Sequence, residues 1–317
     1  MSFTSEVKTE LSNVKNLTCC NKAELSAMFH VGGSVELKNT GLVLSFQTTN
    51  NAVIRSFVKL VKEGFHSDPI LYSKKQLNLK KNDLFLAYIE DGVEKIVNDL
   101  SLINRQALFF QDVDPEIVKK DCCKRAYLRG AFLAGGSINS PETPTYHLEI
   151  QTSSEKQAWV LKELADHYQL NAKVTKNKRG YIMYLKEAEK IADFLRVTGA
   201  SNQLFSYEDS RIKRDFKNSI NRVINCDIAN EKKALDAAMH QLKHIETVEK
   251  HYAGKLPKSL EEIVFLRKLY PDSTLNELSY AAVEHYGYMI SKSALNHRFR
   301  ALKDLANSLE IQGDSHD

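Results

Sequence analysis

Residues 122–137, CCKRAYLRGAFLAGGS, repeat with substitutions the earlier segment CCNKAELSAMFHVGGS at residues 19–34. The offset between the two segments is 103 residues, and the similarity continues past the motif, because LSFQTT at 44–49 is matched by LEIQTS at 148–153. A long internal repeat must be identified before other features are interpreted, because it determines the architecture. Two copies of so long a unit predict an internal pseudo-dimer and not a solenoid.

Each repeat predicts the order helix, two strands, helix, two strands, helix. After each Gly-Gly-Ser the spacing of apolar residues changes from helical to alternating, which indicates a helix followed directly by strands. The predicted fold class is therefore α+β, with a pseudo-two-fold pair of αββαββα repeats followed by an all-α region. Helices are expected at 22–32, 52–64, 92–100, 121–135, 155–168 and 187–197, and strands at 34–39, 42–48, 69–73 and 84–90, then from the second Gly-Gly-Ser to about 151, and in a hairpin at 172–185.

The strand pattern disappears from about Leu204, and the remaining sequence has helical spacing. A basic stretch follows first, and then a long helical segment that Gly254 and Pro257 end. We therefore predict a separate helical domain after the repeats. The expected divisions are a first repeat at 1–118, a second repeat at 119–204, a basic connector at 205–227, a helix-turn-helix domain at 228–310 and a tail at 311–317.

The bulk composition of the 317 residues is that of a soluble globular protein of two or three domains. The formal net charge of +4 and the pI near 8.6 only mildly favour a polyanionic partner. The first 14 residues mix charged and apolar side chains, unlike the apolar centre of a signal peptide, and no apolar run approaches the roughly 18 residues of a membrane span. We therefore expect a cytoplasmic protein.

Four of the five cysteines form adjacent pairs at the start of the two repeats. Adjacent cysteines do not suit an ordinary structural disulfide. A zinc site would need spaced pairs with histidine or further cysteines, and Cys226 alone does not complete one. The sequence therefore predicts buried, reduced thiols, with no metal site and no cofactor.

The two repeated helices carry small side chains four residues apart, which lets two helix backbones approach closely. Aligned on their final glycines, both segments resemble the LAGLIDADG helices of homing endonucleases. That resemblance implies two repeats packed about a local two-fold axis, forming a saddle that straddles DNA. The expected residues of the helix interface are Ala27, Val31, Gly32, Gly130, Ala134 and Gly135.

Active homing endonucleases have an acidic residue just before the last glycine of this helix. Two such carboxylates hold the divalent cation that polarises the phosphate and activates water. Gly32 and Gly135 occupy the matching positions here, and glycine has no side chain to coordinate a metal. Glu36 lies nearby, but its counterpart is Asn139, so the pair has no symmetric replacement. We therefore expect no catalytic residues and no nuclease activity.

A narrower resemblance covers nearly the whole chain. RAYLRGAFLAGGS at 125–137, together with the C-terminal helices, resembles the WhiA regulators of Gram-positive bacteria. This resemblance implies a transcription factor linked to cell division, chromosome segregation or sporulation. It also implies a degenerate endonuclease-like domain followed by a helix-turn-helix.

Residues 256–309 have the pattern of a small helical DNA-binding unit. Ser259 with Glu262 and Thr274 with Glu277 fit capping boxes, and Ser291 can cap a third helix. The connection before the third helix is longer than the tight turn of the simplest motif. The third helix has four cations and no acid between 290 and 303, with side-chain types that read base edges and phosphates. The predicted DNA contacts are Ser291, Lys292, Ser293, Asn296, His297, Arg298, Arg300 and Lys303.

Basic side chains also cluster in the repeats and in the connector. On a saddle-shaped domain such clusters could follow the phosphate backbone without reading sequence. Solvated turns explain them equally well. The candidate phosphate contacts are Lys74, Lys75, Lys80 and Lys81 in the first repeat, Lys173, Lys176, Lys178 and Arg179 in the second, and Arg211, Lys213 and Arg214 in the connector.

The interpretation favoured by the sequence is a nucleoid-associated regulator that binds promoter DNA and is not an enzyme. The paired repeats would then add DNA contacts or recruit transcription or division proteins. Two alternatives stay open: a metal-dependent endonuclease that uses acids of another pattern, and a protein-interaction scaffold.

Overall fold

A computed structural model describes residues 2–39, 41–75, 83–103, 110 and 112–313, with side chains described up to residue 309. The chain divides into two compact units, Met1–Arg214 and Asp215–Asp317. The five segments predicted from the sequence stay predictions beside this division. In the described part of the chain, no helix is both long and apolar enough to cross a bilayer.

The first repeat contains the predicted αββαββα order, preceded by one further helix. Its sheet is antiparallel, with strand order β1-β2-β4-β3, and β2 lies between β1 and β4. The elements are α1 (Phe3–Leu11), α2 (Thr18–Gly32), β1 (Gly33–Lys38), β2 (Gly41–Thr48), α3 (Asn51–Phe65), β3 (Ile70–Lys74), β4 (Leu84–Ile89) and α4 (Val93–Asp99).

The second repeat reproduces that order in a second antiparallel sheet. Its strand order, β5-β6-β8-β7, corresponds position by position to that of the first sheet. The elements are α5 (Asp121–Gly135), β5 (Gly136–Ile138), β6 (Leu148–Thr152), α6 (Glu155–His167), β7 (Lys173–Asn177), β8 (Gly180–Leu185) and α7 (Ala188–Thr198). The predicted α+β class and the duplicated order are therefore confirmed.

Two features at the start of the chain differ from the prediction. Helix α1 was not predicted, although Phe3, Val7 and Leu11 recur every four residues and the last two are buried. Helix α2 begins at Thr18 and not at residue 22. The adjacent cysteines therefore belong to the first turn of the repeated helix, and not to a loop that precedes it.

The second unit is helical throughout its described part. Helix α8 (Ser201–His251) contains the division between the units, and residues 205–227 lie inside it. Its last turns pack with α9 (Lys258–Leu269), α10 (Leu275–Tyr286) and α11 (Lys292–Gly313). The buried core of this unit is apolar: Ile245, Val248, Leu260, Ile263, Leu266, Leu278, Ala282, Ile290, Leu295, Phe299, Leu302 and Ala306.

Three residues of the second unit were predicted to cap the starts of its helices. Thr274 accepts from the backbone of Glu277, whose carboxylate accepts from Thr274 in return, so this capping box is confirmed. Ser259 was predicted wrongly, because α9 already begins at Lys258, after Pro257, and places Ser259 inside its first turn. Proline suits the start of a helix because it lacks a backbone N–H. Ser291 accepts from Ala294 N at 3.2 Å, as expected of a cap for α11.

Candidate nucleic-acid interface

The repeated helices α2 and α5 pack directly against each other in the centre of the first unit. An added Cβ at Gly130 would overlap the backbone of Glu24, and one at Gly135 would lie 2.6 Å from Val31 Cγ1. A Cβ at Gly32 would lie 3.3 Å from Ala134 Cβ. Five of the six predicted interface residues therefore lie at this close approach, and Ala27 is buried in the same core.

A buried ion pair joins the two helices beside that contact. Arg129 of α5 donates from Nε to Glu24 Oε2 of α2 at 2.8 Å, and its other nitrogens bond Thr198 O and Asn16 Oδ1. Burial raises the pKa of Glu24, and Arg129 and Asn16 partly offset that rise. Because Arg129 is buried and each of its three nitrogens donates inside the protein, it holds the repeats together and is closed to an external ligand.

The C-terminal ends of these helices, where an endonuclease would carry its carboxylates, are packed tightly. At Gly135 an added Cβ would also overlap Gln151 O. At Gly32 it would lie 3.0 Å from the Phe46 ring. An acidic side chain at Gly135 would therefore require backbone movement.

The exposed side of α11 brings together most of the DNA-binding residues predicted from sequence. Leu295, Phe299 and Leu302 face the core of the unit and fix the rotation of the helix. In the described part of the chain, no carboxylate pairs with Lys292, Arg300 or Lys303. One surface depression is lined by Lys292, Ser293, Asn296, His297 and Arg300.

Arg298 departs from this set. Its Nη1 donates to Glu262 Oε2 of α9 at 2.8 Å, and its side chain is only 22 % exposed. Glu262 also accepts from Tyr288 Oη at 2.6 Å. Burial raises the pKa of Glu262, but the hydrogen bonds from Tyr288 and Arg298 outweigh it, so the net shift is downward. Arg298 therefore fixes α11 to α9, a role that the surface-pattern argument missed.

The candidate phosphate contacts fall into three groups. Lys74, Lys75, Lys173, Lys176, Lys178 and Arg179 are exposed on strands or turns, as the saddle interpretation requires. Lys80 and Lys81 lie outside the described residues.

The three connector cations have internal partners. Arg211 pairs with Glu208 at 3.1 Å and Lys213 with Asp209 at 2.6 Å, each within one turn of α8. Arg214 donates to Thr143 O at 2.7 Å, to Pro141 O and to Tyr146 Oη. Arg214 therefore anchors α8 to the loop between β5 and β6, which reduces its availability for phosphate.

The two cysteine pairs meet. Cys19 and Cys20 in the first turn of α2 and Cys122 and Cys123 in the first turn of α5 have their Sγ atoms all within 4.8 Å of one another. All four thiols are free, and Cys20 and Cys123 are buried. The sequence argument against a zinc site treated each pair separately and so could not include this arrangement.

Comparison with known proteins identifies the family. Family models match at 18–103 (WhiA N-terminal LAGLIDADG-like domain), 124–217 (WhiA LAGLIDADG-like domain) and 220–306 (WhiA C-terminal HTH domain).

Similar curated proteins cover almost the entire chain. The probable cell division protein WhiA of Geobacillus sp. (strain WCH70) is 43 % identical over 98 % of this chain and 96 % of its own. The protein of that name from Bacillus pumilus (strain SAFR-032) is 44 % identical over 98 % of this chain and 97 % of its own length. The crystal structure of full-length DUF199/WhiA from Thermatoga maritima shares the fold, with a TM-score of 0.59 and 20 % identity over 98 % and 99 % of the two chains. The chain belongs to the WhiA family.

Proposed function

We propose that this protein is a sequence-specific DNA-binding transcription regulator that acts in cell division, chromosome segregation or sporulation. Its ligand is double-stranded promoter DNA, and it is located in the cytoplasm in association with the nucleoid. The family's C-terminal HTH domain supports DNA binding, and the name of the curated relatives supports the link to cell division. Other transcription or division proteins are the proposed protein partners.

The exposed face of α11 is the observation that carries this proposal. A helix that follows a turn and presents Asn, Ser and Arg side chains has the donors and acceptors that the major groove requires. Arg300 suits a guanine edge, Asn296 an adenine edge, and Lys292 and Ser293 lie at the helix N-terminus, which favours phosphate. The absence of a carboxylate partner for Lys292, Arg300 and Lys303 among the described residues leaves these charges available to DNA.

We also propose that the paired repeats do not cleave DNA. The proposal rests on Gly32 and Gly135, since metal-assisted cleavage requires oxygen ligands at the dyad. The packing of Gln151 and Val31 around Gly135 supports it further. The exposed cations of the β3 end and the β7–β8 hairpin would then contact phosphates without reading sequence.

Chromatin immunoprecipitation with the full-length, tagged chain tests the regulatory proposal. We expect promoter regions with one shared motif, and transcripts from those promoters that change when the protein is depleted. Arg300→Ala should weaken specific binding by about 1–3 kcal/mol. Lys268→Ala is the matched control. It removes a cation of the same unit, but this cation belongs to α9 and pairs with Glu249 of α8. Equal binding by wild type and Arg300→Ala would contradict the assignment of α11.

Incubation of supercoiled plasmid with the full-length chain and Mg²⁺ tests the absence of nuclease activity. We expect the plasmid to stay intact. Nicking or linearisation that a chelator abolishes would overturn this part of the proposal and favour an endonuclease with acids of another pattern.

A further inference from the structure

Four thiols lie together where the paired helices begin. Cys19 and Cys20 are the second and third residues of α2, and Cys122 and Cys123 hold the same positions in α5. The cluster therefore has the pseudo-two-fold symmetry of the repeats, and each repeat contributes half of it. It lies at the opposite end of these helices from Gly32 and Gly135, so it is separate from the lost endonuclease site.

The spacing of the thiols fits a single tetrahedral ion. Four thiolates at the usual zinc–sulfur distance of about 2.3 Å stand about 3.8 Å from one another. All four Sγ atoms lie within 4.8 Å of one another, and Cys122 Sγ and Cys123 Sγ are 4.0 Å apart. The Sγ separations therefore exceed those of a tetrahedral zinc site by at most about 1 Å.

The positions of the thiols in the first turns of the two helices favour negative charge on sulfur. The first turns of α2 and α5 both direct backbone N–H groups towards the cluster's end of the helices, and a helix N-terminus stabilises a thiolate. In the part of the chain that the structure describes, neither helix has a side chain that caps its first turn.

The two buried thiols, Cys20 and Cys123, lie where burial opposes a negative charge on sulfur. A bound metal replaces the thiol protons, and its positive charge offsets the free-energy cost of burying the thiolates. Thiolate sulfur selects soft or borderline ions over Mg²⁺ and Ca²⁺, which prefer oxygen.

We propose that Cys19, Cys20, Cys122 and Cys123 bind one zinc ion, which joins the two repeats at the start of their paired helices. The site is structural, because four protein ligands leave no open coordination position. It crosslinks segments 103 residues apart in sequence, so it stabilises the folded pairing of the repeats against separation. This inference goes beyond the proposed regulatory function and does not depend on it.

Metal analysis of the full-length protein, purified without air or chelator, tests the site. We expect about one zinc per chain. Replacement by Co²⁺ should give the intense thiolate-to-cobalt and d–d absorption bands of tetrahedral sulfur coordination. Cys19→Ser and Cys122→Ser, which change the two half-buried ligands, should each weaken zinc binding more than about 100-fold, beyond the usual effect of an outer-shell change. Cys226→Ser is the matched control, since it removes an exposed cysteine of α8 and should retain the metal.

A stability measurement separates ligand loss from misfolding. Zinc added to the metal-free wild type should raise the thermal midpoint of the repeat unit by about 5–10 °C. The same addition should leave a folded Cys19→Ser variant, checked by circular dichroism, unchanged. Both results would support the site.

Three outcomes would overturn the proposal. The first is a chain free of zinc that also gives no cobalt bands. The second is an equal rate of reaction of all four thiols with a thiol reagent in the presence and absence of zinc. The third is a disulfide among these cysteines, found by mass spectrometry in zinc-supplied protein prepared without air, which would indicate a redox site instead.

Discussion

The two units each contain an arginine–glutamate pair between neighbouring helices, and the pairs differ in burial. Arg129–Glu24 in the repeats and Arg298–Glu262 in the helical unit both have a nitrogen–oxygen distance of 2.8 Å. The side chains of the first pair are 6 % and 3 % exposed, and those of the second are 22 % and 7 % exposed. The first arginine is enclosed by the protein, whereas the second lies at the border of the basic face of α11.

This difference separates a cation enclosed by the protein from one that borders an exposed basic face. Burial dominates at Glu24 and raises its pKa, despite Arg129. At Glu262 burial also acts upwards, but the hydrogen bonds of Tyr288 and Arg298 prevail and lower the pKa. From Arg129 through Arg298 to the exposed Arg300, the contribution to stability should therefore fall while the contribution to DNA binding rises.

Arg129→Ala should have the largest effect on stability. It leaves Glu24 buried without its charge partner, which costs about 3–5 kcal/mol. Urea unfolding followed by the fluorescence of Trp159, the single tryptophan and a residue of α6 in the same unit, measures the free energy of unfolding. Arg125→Ala is the control, because it breaks an exposed pair with Asp121 on the same helix and should cost less than about 1 kcal/mol. Equal costs for the two variants would contradict the comparison.

Arg298→Ala should destabilise the helical unit by about 1.5–3 kcal/mol, since it removes a hydrogen bond to a charged group. Amide hydrogen exchange of α9 and α11 in the full-length chain measures this loss. Arg300→Ala, two residues further along the same helix, should leave the exchange unchanged while it weakens DNA binding. If Arg298→Ala affected DNA binding alone, Arg298 would be a direct contact, as the sequence pattern predicted.

The stability of the helical unit should depend on pH through the ionisation of Glu262. Its pKa is lowered in the folded chain, so its contribution to stability is complete above its ordinary value of 4.5 and is lost as the pH falls below that value. The stability difference between wild type and Glu262→Gln should therefore shrink on acidification. The loss is about 1.4 kcal/mol for each pH unit that separates the folded and unfolded pKa values. A difference that stays constant as the pH falls from 7 to below 4.5 would contradict the ion pair.

The smallest effect is expected from the β7–β8 hairpin. Lys178→Ala with Arg179→Ala removes two exposed cations and should reduce the salt dependence of DNA binding by about one to two units of slope. Sequence preference should not change. Lys119→Ala, which pairs with Glu116 at 3.1 Å, is a control of similar exposure. An unchanged slope in the double variant would favour the solvated-turn interpretation of this hairpin.

The sequence predicted what depends on local pattern and missed what depends on distant contacts. The αββαββα order and the Thr274 capping box follow from spacing over a few residues, and both were predicted. The bond between Arg298 and Glu262 joins residues 36 positions apart, and no local pattern separates Arg298 from Arg300. The cysteine cluster required one further step: the two repeated helices were predicted to pack together, but the cysteine pairs at their starts were considered separately.

The close packing at Gly130 makes the two repeats unequal. The matching residue of the first repeat is Ala27, so the two-fold relation fails at the point of closest approach. A protein made of two first repeats would place a methyl group against the backbone that Gly130 contacts, and the helices would have to move apart. The two repeats therefore form a matched pair, in which the second repeat supplies the glycine that the close contact with Glu24 requires.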